Sequence, residues 1–246
     1  MSILVTGGTK GIGFAIAKAF AEPGNRVYVN YAGDEAAAER AVAEIEAAGA
    51  EARAVRADVG TPAGCRELMD AIAADGGRID QLVHCAVRPY PTPVLEADPE
   101  TFAAALSVNG TALLYLVQAA LPLMDRGSSV FFLSSRGGRV VVPNYAAIGA
   151  GKALAESLMR YLAVELAPRG IRINAVAPAL VATDAVRTIF GDKADELAEK
   201  AARENPTGRG IEAADYTNLI RWLASDEAAY IQGQVIYVNG GANLMA

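Results

Sequence analysis

The 246-residue chain is short of cysteine, histidine and basic charge. Its two cysteines, Cys65 and Cys85, form no CxxC pair and cannot build a disulfide framework, so the expected compartment is reducing cytosol. A single histidine without clustered Cys/His ligands argues against a zinc site, and no metal is expected. Lys and Arg total 22 against 28 Asp and Glu, a net charge of -6. Recognition of nucleic-acid phosphates needs a basic excess, so nucleic acid is not an expected partner. No 18-residue apolar run stands out, which speaks against a membrane span. Residues 2–7 already read as a strand entering a turn, so no signal peptide is expected before the fold.

What is present is apolar material in a regular rhythm. Hydrophobic residues make up 52% of the chain and charged residues 20%, enough for a large core and unlike a disordered chain. Short apolar runs at 3–6, 26–30, 52–57, 81–85, 129–134, 172–177 and 234–238 read as strands. Stretches at 12–21, 34–48, 61–74, 99–123, 145–166 and 213–224 carry helical spacing of apolar residues. Such alternation predicts a single-domain α/β fold over residues 1–246: a doubly wound, Rossmann-type, seven-stranded parallel sheet with helices on both faces. Ligands then bind at the carboxyl ends of the strands, near the switch in strand order. Residues 183–209 break the rhythm with dense charge. They read either as a solvated insertion or as a lid over a substrate cleft.

Thr6-Gly7-Gly8-Thr9-Lys10-Gly11-Ile12-Gly13 follows the first strand and opens the first helix. Glycines there allow a tight turn and a close approach of a pyrophosphate, while the helix N-terminus offers free N–H groups. At the end of the second strand, where an acidic side chain would accept bonds from a ribose 2′-hydroxyl, stands Tyr31. A carboxylate would repel a 2′-phosphate, tyrosine would not, and Lys10 can pair with that phosphate. Both features point to NADP(H). Asp34 is read as a helix cap rather than a ribose ligand. Tyr145 and Lys152 form a Tyr-x6-Lys pattern, with Ser135 seventeen residues before the lysine. Four residues before Lys152 lies Ile148, which cannot transfer a proton.

The spacing Gly7-x3-Gly11-x-Gly13 resembles the glycine motif of the short-chain dehydrogenase/reductases, and the resemblance runs from residue 2 nearly to the C-terminus. It implies that Gly7, Thr9, Lys10, Gly11, Ile12, Gly13 and Tyr31 hold the adenosine and pyrophosphate. Asp58 and Val59 would contact adenine, and Cys85, Ala86, Pro178, Val181 and Thr183 would flank the nicotinamide. Asn109 would support a proton relay. Ala179 replaces the glycine usual after that proline, and Gly33 stands where relatives often carry a second basic residue. Ordinary members place tyrosine where Ile148 stands. The displaced pair is similar to that of the family's enoyl-ACP reductases, as are Pro143-Asn144-Tyr145 and Leu82-Val83-His84. The stretch 160–166 and Gly233-Gln234-Val235-Ile236 resemble their third, NADPH-dependent type. The common type has a second tyrosine where this chain has Ser135.

By that resemblance, Tyr145 donates to an enolate oxygen, Lys152 binds the nicotinamide ribose and stabilises the ionised phenol, and Ser135 assists. Val87, Arg88 and Ile148 would meet the substrate, an acyl thioester on an acyl carrier protein or coenzyme A. Moving tyrosine three residues along a helix shifts its origin by roughly 4.5 Å. This matches the greater distance of an enolate oxygen from the carbon that receives hydride. His84 is read as a packed residue and Cys85 as a small buried one. A homotetramer built on 99–123 and 145–166 is expected. A carbonyl reductase or alcohol dehydrogenase, and a non-catalytic NADP-binding protein, remain open as alternatives.

Overall fold

The computed structural model describes residues 1–242. Seven parallel strands form one sheet in the order β3-β2-β1-β4-β5-β6-β7. They are β1 (Ser2–Thr6), β2 (Arg26–Tyr31), β3 (Glu51–Arg56), β4 (Gln81–His84), β5 (Ser129–Leu133), β6 (Arg172–Pro178) and β7 (Val235–Val238). Strand order reverses between β1 and β4, which opens a crevice at their carboxyl ends. Successive side chains leave a strand on opposite faces. Leu4, Tyr28, Leu82 and Phe132 therefore enter one apolar core, and Ile3, Val5, Val27, Val29, Val83 and Phe131 the other.

Helices cover both faces. On one side lie α1 (Gly11–Ala19), α2 (Glu35–Ala47) and α9 (Ala213–Ala224), which bury Ile16, Ile45 and Ile220. On the other lie α3 (Pro62–Ala74), α4 (Pro99–Leu106), α5 (Ala112–Ala120) and α6 (Ala146–Leu166), which bury Leu68, Leu116 and Met159. Several starts follow side-chain caps: Asp34 accepts from Ala37 N, Thr61 from Gly64 N and Asp98 from Thr101 N. The cap reading of Asp34 holds. The charged stretch 183–209 forms α7 (Asp184–Phe190) and α8 (Ala194–Glu204).

Two expectations need correction. The run 99–123 is not one regular helix. It passes through a π-helical turn, Ser107–Thr111, before α5. Such turns are inserted where a helix must re-aim its side chains, and this one carries Asn109. The same run, Pro99–Leu123, is long and apolar enough by length and composition to cross a membrane, contrary to the expectation of no such stretch. Half of its apolar window is buried inside the fold, as in a core helix.

The π-turn meets α6 at Gly151. A Cβ there would lie 2.6 Å from Asn109 Cβ, so backbone meets side chain with no space between. Gly151→Ala would gain about 1 kcal/mol of helix propensity but incur about 1–3 kcal/mol of overpacking. The expected result is a lower melting temperature than the parent's; a higher one would show that the two elements can separate freely.

Candidate active site

The glycine turn sits at the carboxyl end of β1. A Cβ on Gly13 would lie 2.2 Å from the Gly7 carbonyl oxygen, so only glycine allows α1 to start this close to the turn. Gly7 packs against the backbone of Cys85 and Ala86, and Thr183 stands over Gly11, where a Cβ would meet its Cγ2 at 3.1 Å. Thr183 also caps α7 through Val186 N. The fold thus gathers the turn, the end of β4 and the segment after β6 around one crevice. Its backbone N–H groups and glycine cradle fit a dinucleotide pyrophosphate. Tyr31 ends β2, and Pro178 ends β6. Val181 packs partly buried on the second core. Asp58 is exposed, with one oxygen accepting from Gly60 N at 2.9 Å, and Val59 is buried, leaving only its backbone for a ligand.

Lys10 does not stand free for a phosphate. It is ion-paired with Asp34, whose carboxyl is held below its usual range by that bond and by Ala37 N. A 2′-phosphate would have to share Lys10 with this carboxylate. The pair was hidden in sequence because it joins two loops rather than two turns of one helix.

Tyr145 is the residue preceding α6, and its hydroxyl donates to Ser135 Oγ at 3.3 Å. Ser135 Oγ also accepts from Gly137 N at 3.1 Å. Lys152 is 5% exposed; its Nζ donates to Leu133 O at 2.6 Å and lies 4.6 Å from the Phe132 ring centroid. Burial draws the Lys152 ammonium down to about 8, with Cys85 and Glu156 opposing. Burial raises the Tyr145 phenol above its ordinary value, opposed by the Ser135 hydrogen bond and then by the Arg136 charge. Lys152 is not among the groups that shift the Tyr145 phenol here. Seven residues span about 10.5 Å of helix axis, and the ammonium turns to Leu133 instead. Tyr145 is built as a neutral donor.

Asn109 is fully buried. Its Oδ1 accepts from Arg88 N at 2.9 Å, while its Nδ2 donates to Arg88 O at 3.0 Å and to Ala147 O at 3.3 Å. Its side chain is a clamp between the β4 loop and α6. Val87 is half-buried and Arg88 exposed beside this clamp. Ile148 is 2% exposed, so contact with an acyl chain requires the surrounding loops to move.

A polar chain under the site was missed by the sequence reading. The Thr6 hydroxyl accepts from Cys85 N and Ala86 N at 3.2 and 3.3 Å, and lies 2.8 Å from His84 Nδ1. His84 Nε2 lies 3.3 Å from Val108 O. One tautomer satisfies every bond: Thr6 donates to Nδ1, and Nε2–H donates to the Val108 carbonyl. Both ring nitrogens are paired, as expected of a packed histidine. Burial, then the Lys152 charge, push the imidazole down to about 3. Burial likewise pushes the Cys85 thiol up to about 11, so it is no nucleophile.

A glycine-cradled crevice with tyrosine, serine and lysine beside it defines a dinucleotide-dependent oxidoreductase. The chain belongs to the short-chain dehydrogenase/reductases: the family model described as enoyl-(acyl carrier protein) reductase matches residues 7–243. It is 34% identical to 1-cyclohexenylcarbonyl-CoA reductase of Streptomyces collinus over 99% of this chain and 87% of that one. It is 36% identical to the 3-oxoacyl-[acyl-carrier-protein] reductase FabG of Staphylococcus aureus over 98% and 97%. A short-chain dehydrogenase from Burkholderia cenocepacia, solved in complex with NADP, superposes with a TM-score of 0.88 at 32% identity, over 99% and 97% of the chains.

His84 supplies a pH test, because it is the chain's only histidine. Its folded value near 3 lies below the reference 6.5, so the unfolded chain binds the extra proton first. The contribution is intact above pH 6.5 and is lost as pH falls toward 3. Between pH 6.5 and 5 the protein should lose about 2 kcal/mol, and His84→Asn should lack this slope. Equal pH slopes in thermal melts of the two proteins would contradict a buried neutral imidazole.

Proposed function

We propose that this oxidoreductase uses NADPH to reduce the carbon–carbon double bond of an enoyl thioester carried on an acyl carrier protein or coenzyme A. The observation that carries the reading is the half-buried Tyr145 hydroxyl beside Ser135, with Ile148 in the position of the ordinary family tyrosine. Bound NADPH supplies the hydride. The glycine turn, Asp58 and Val59 hold the adenosine and pyrophosphate, Lys152 takes the ribose, and Cys85, Ala86 and the Pro178–Thr183 segment flank the nicotinamide. Tyr145 turns from Ser135 to donate to the carbonyl oxygen as enolate charge develops there. The phenol keeps its proton at neutral pH and so can donate a hydrogen bond to that oxygen. Val87 bounds the acyl chain, Ile148 joins it once the surrounding loops move, and Arg88 stands at the mouth.

One observation favours a second reading, reduction of a carbonyl. The FabG relative is named for reduction of a 3-oxoacyl group. Purified protein should oxidise NADPH faster with crotonyl thioesters than with a panel of ketones. Tyr145→Phe should lower thioester turnover roughly 10²–10³-fold, the usual worth of a donor to charge that appears only in the transition state. NADPH affinity should stay within a factor of about two. Near-parental turnover in Tyr145→Phe would remove the displaced tyrosine from the mechanism, and faster turnover of a ketone would favour the second reading.

Helices α7 and α8 are proposed as a lid. An ion pair of Arg187 with Asp195 links them, and of the residues described in α8 only Ala194 is buried. Hydrogen exchange in 183–209 should slow when NADPH and substrate bind. Equal exchange with and without ligands would count against closure.

A further inference from the structure

An acidic side chain lies in the core just beyond the site. Glu156 is one helical turn after Lys152 on α6 and is 4% exposed. A carboxylate so far from water is costly unless both oxygens are engaged. Here Ser134 Oγ donates to Oε1 at 2.6 Å, and Arg139 Nε faces Oε2 at 3.5 Å. These two partners stand at the ends of the short loop that holds the tyrosine. Ser134 precedes Ser135, the acceptor for the Tyr145 hydroxyl. Arg139 follows the one-turn helix Arg136–Gly138, in which Gly137 lies so close that a Cβ would stand 2.5 Å from Tyr145 Cε1. At Gly138 the loop touches both acidic and basic members: a Cβ there would lie 3.3 Å from Glu156 Oε1 and 3.4 Å from Lys152 Cβ.

Charge points the same way. The groups facing Lys152 from β4 are His84 and Cys85, both neutral at physiological pH because burial moves them away from ionisation. From β5 come a backbone carbonyl and a phenyl ring. Arg136 acts on the phenol, and Arg139 partly offsets Glu156 from the solvent side, stacked over the Tyr237 ring of β7 at 5.1 Å. Among these described groups, Glu156 is the one that brings fixed negative charge to the buried ammonium.

We propose that Glu156 is a positioning residue, whose carboxylate closes the 134–139 loop behind Tyr145 and serves as the counter-charge that keeps Lys152 protonated. The proposal rests on the assignment of Tyr145, Ser135 and Lys152 to one site. It does not depend on which substrate that site takes. Its effect on Lys152 has a definite sign. Burial alone favours the neutral amine, and Cys85 and Glu156 oppose it, of which Cys85 is itself a neutral thiol at physiological pH. Loss of the carboxylate therefore deprotonates Lys152 at lower pH, and loss of Arg139, which offsets Glu156, has the opposite effect.

The test is an NMR titration of full-length protein labelled at lysine Cε, with the Lys152 signal assigned by Lys152→Arg. Glu156→Gln keeps the size and an acceptor for Ser134 but removes the charge. Its Lys152 midpoint should fall by about one pH unit or more, the scale of a neighbouring opposite charge. Arg139→Gln, which leaves the core intact, should raise the midpoint and keeps the test informative if Glu156→Gln does not fold. An unchanged Lys152 midpoint in folded Glu156→Gln, or a lower one in Arg139→Gln, overturns the proposal. Neither readout needs substrate, so inactivity on enoyl thioesters would defeat the functional reading while leaving this inference standing. Where turnover is measurable, Glu156→Gln should move the alkaline limb of the rate profile to lower pH, and Glu156→Asp should restore part of the shift; a role confined to packing would move neither.

Discussion

The whole site depends on how closely α6 can approach the carboxyl edge of the sheet. Two glycines two positions apart make this possible. A Cβ on Gly149 would lie 2.5 Å from the Gly137 carbonyl oxygen, and one on Gly151 would lie 2.6 Å from Asn109 Cβ. Glycine inside a helix costs about 0.5–1 kcal/mol each relative to alanine. In return, one helix touches both the Ser135 loop and the π-turn. Tyr145 at the helix start, Lys152 two turns on and Glu156 one turn further then share a single polar seam. Spread apart by a methyl group on either glycine, the same residues would be separate features of a Rossmann sheet.

Beneath that seam, the structure couples the dinucleotide cradle to the catalytic helix without exposing a charge. Thr6 ends the strand that feeds the glycine turn, and Val108 lies beside Asn109 in the π-turn. His84 bridges them as a neutral imidazole. A protonated ring would set two positive charges close together in the core, His84 and Lys152, and would deprive Thr6 of its acceptor. The low local dielectric that makes such a mistake costly also makes the satisfied network stiff. Stiffness at this point fixes the end of β4 that stands beside the glycine turn.

Much of this was legible in the sequence, for physical reasons. Strands buried on both faces read as continuous apolar runs, and the strand–helix rhythm leaves few topologies. Asp34 announced its cap because capping is local chemistry. The glycine turn was readable because the close approach at Gly13 excludes other residues. The displaced tyrosine was readable because spacing along a helix is nearly geometry. What escaped was long-range. Composition alone did not show that 99–123 passes through a π-turn, since the re-aiming of Asn109 is dictated by α6. The Lys10–Asp34 pair joins two loops that meet only after the sheet forms. Helical spacing gave the axial distance from Tyr145 to Lys152 but not the direction of the ammonium. Glu156 carried a weak signal, an acidic residue on the same face as Lys152, but its partners come from a loop ahead of the helix.

The central claim is that a tyrosine placed away from the usual position selects attack at a carbon remote from the carbonyl. It is tested most directly by following the hydride itself. NADPH deuterated at the transferable position should be given to the purified protein with an α,β-unsaturated thioester. The account predicts deuterium at Cβ of a saturated acyl chain, with the thioester carbonyl intact. No deuterium transfer to the enoyl thioester, with deuterium instead entering the carbinol carbon formed from a 3-oxoacyl thioester or a ketone, would contradict it.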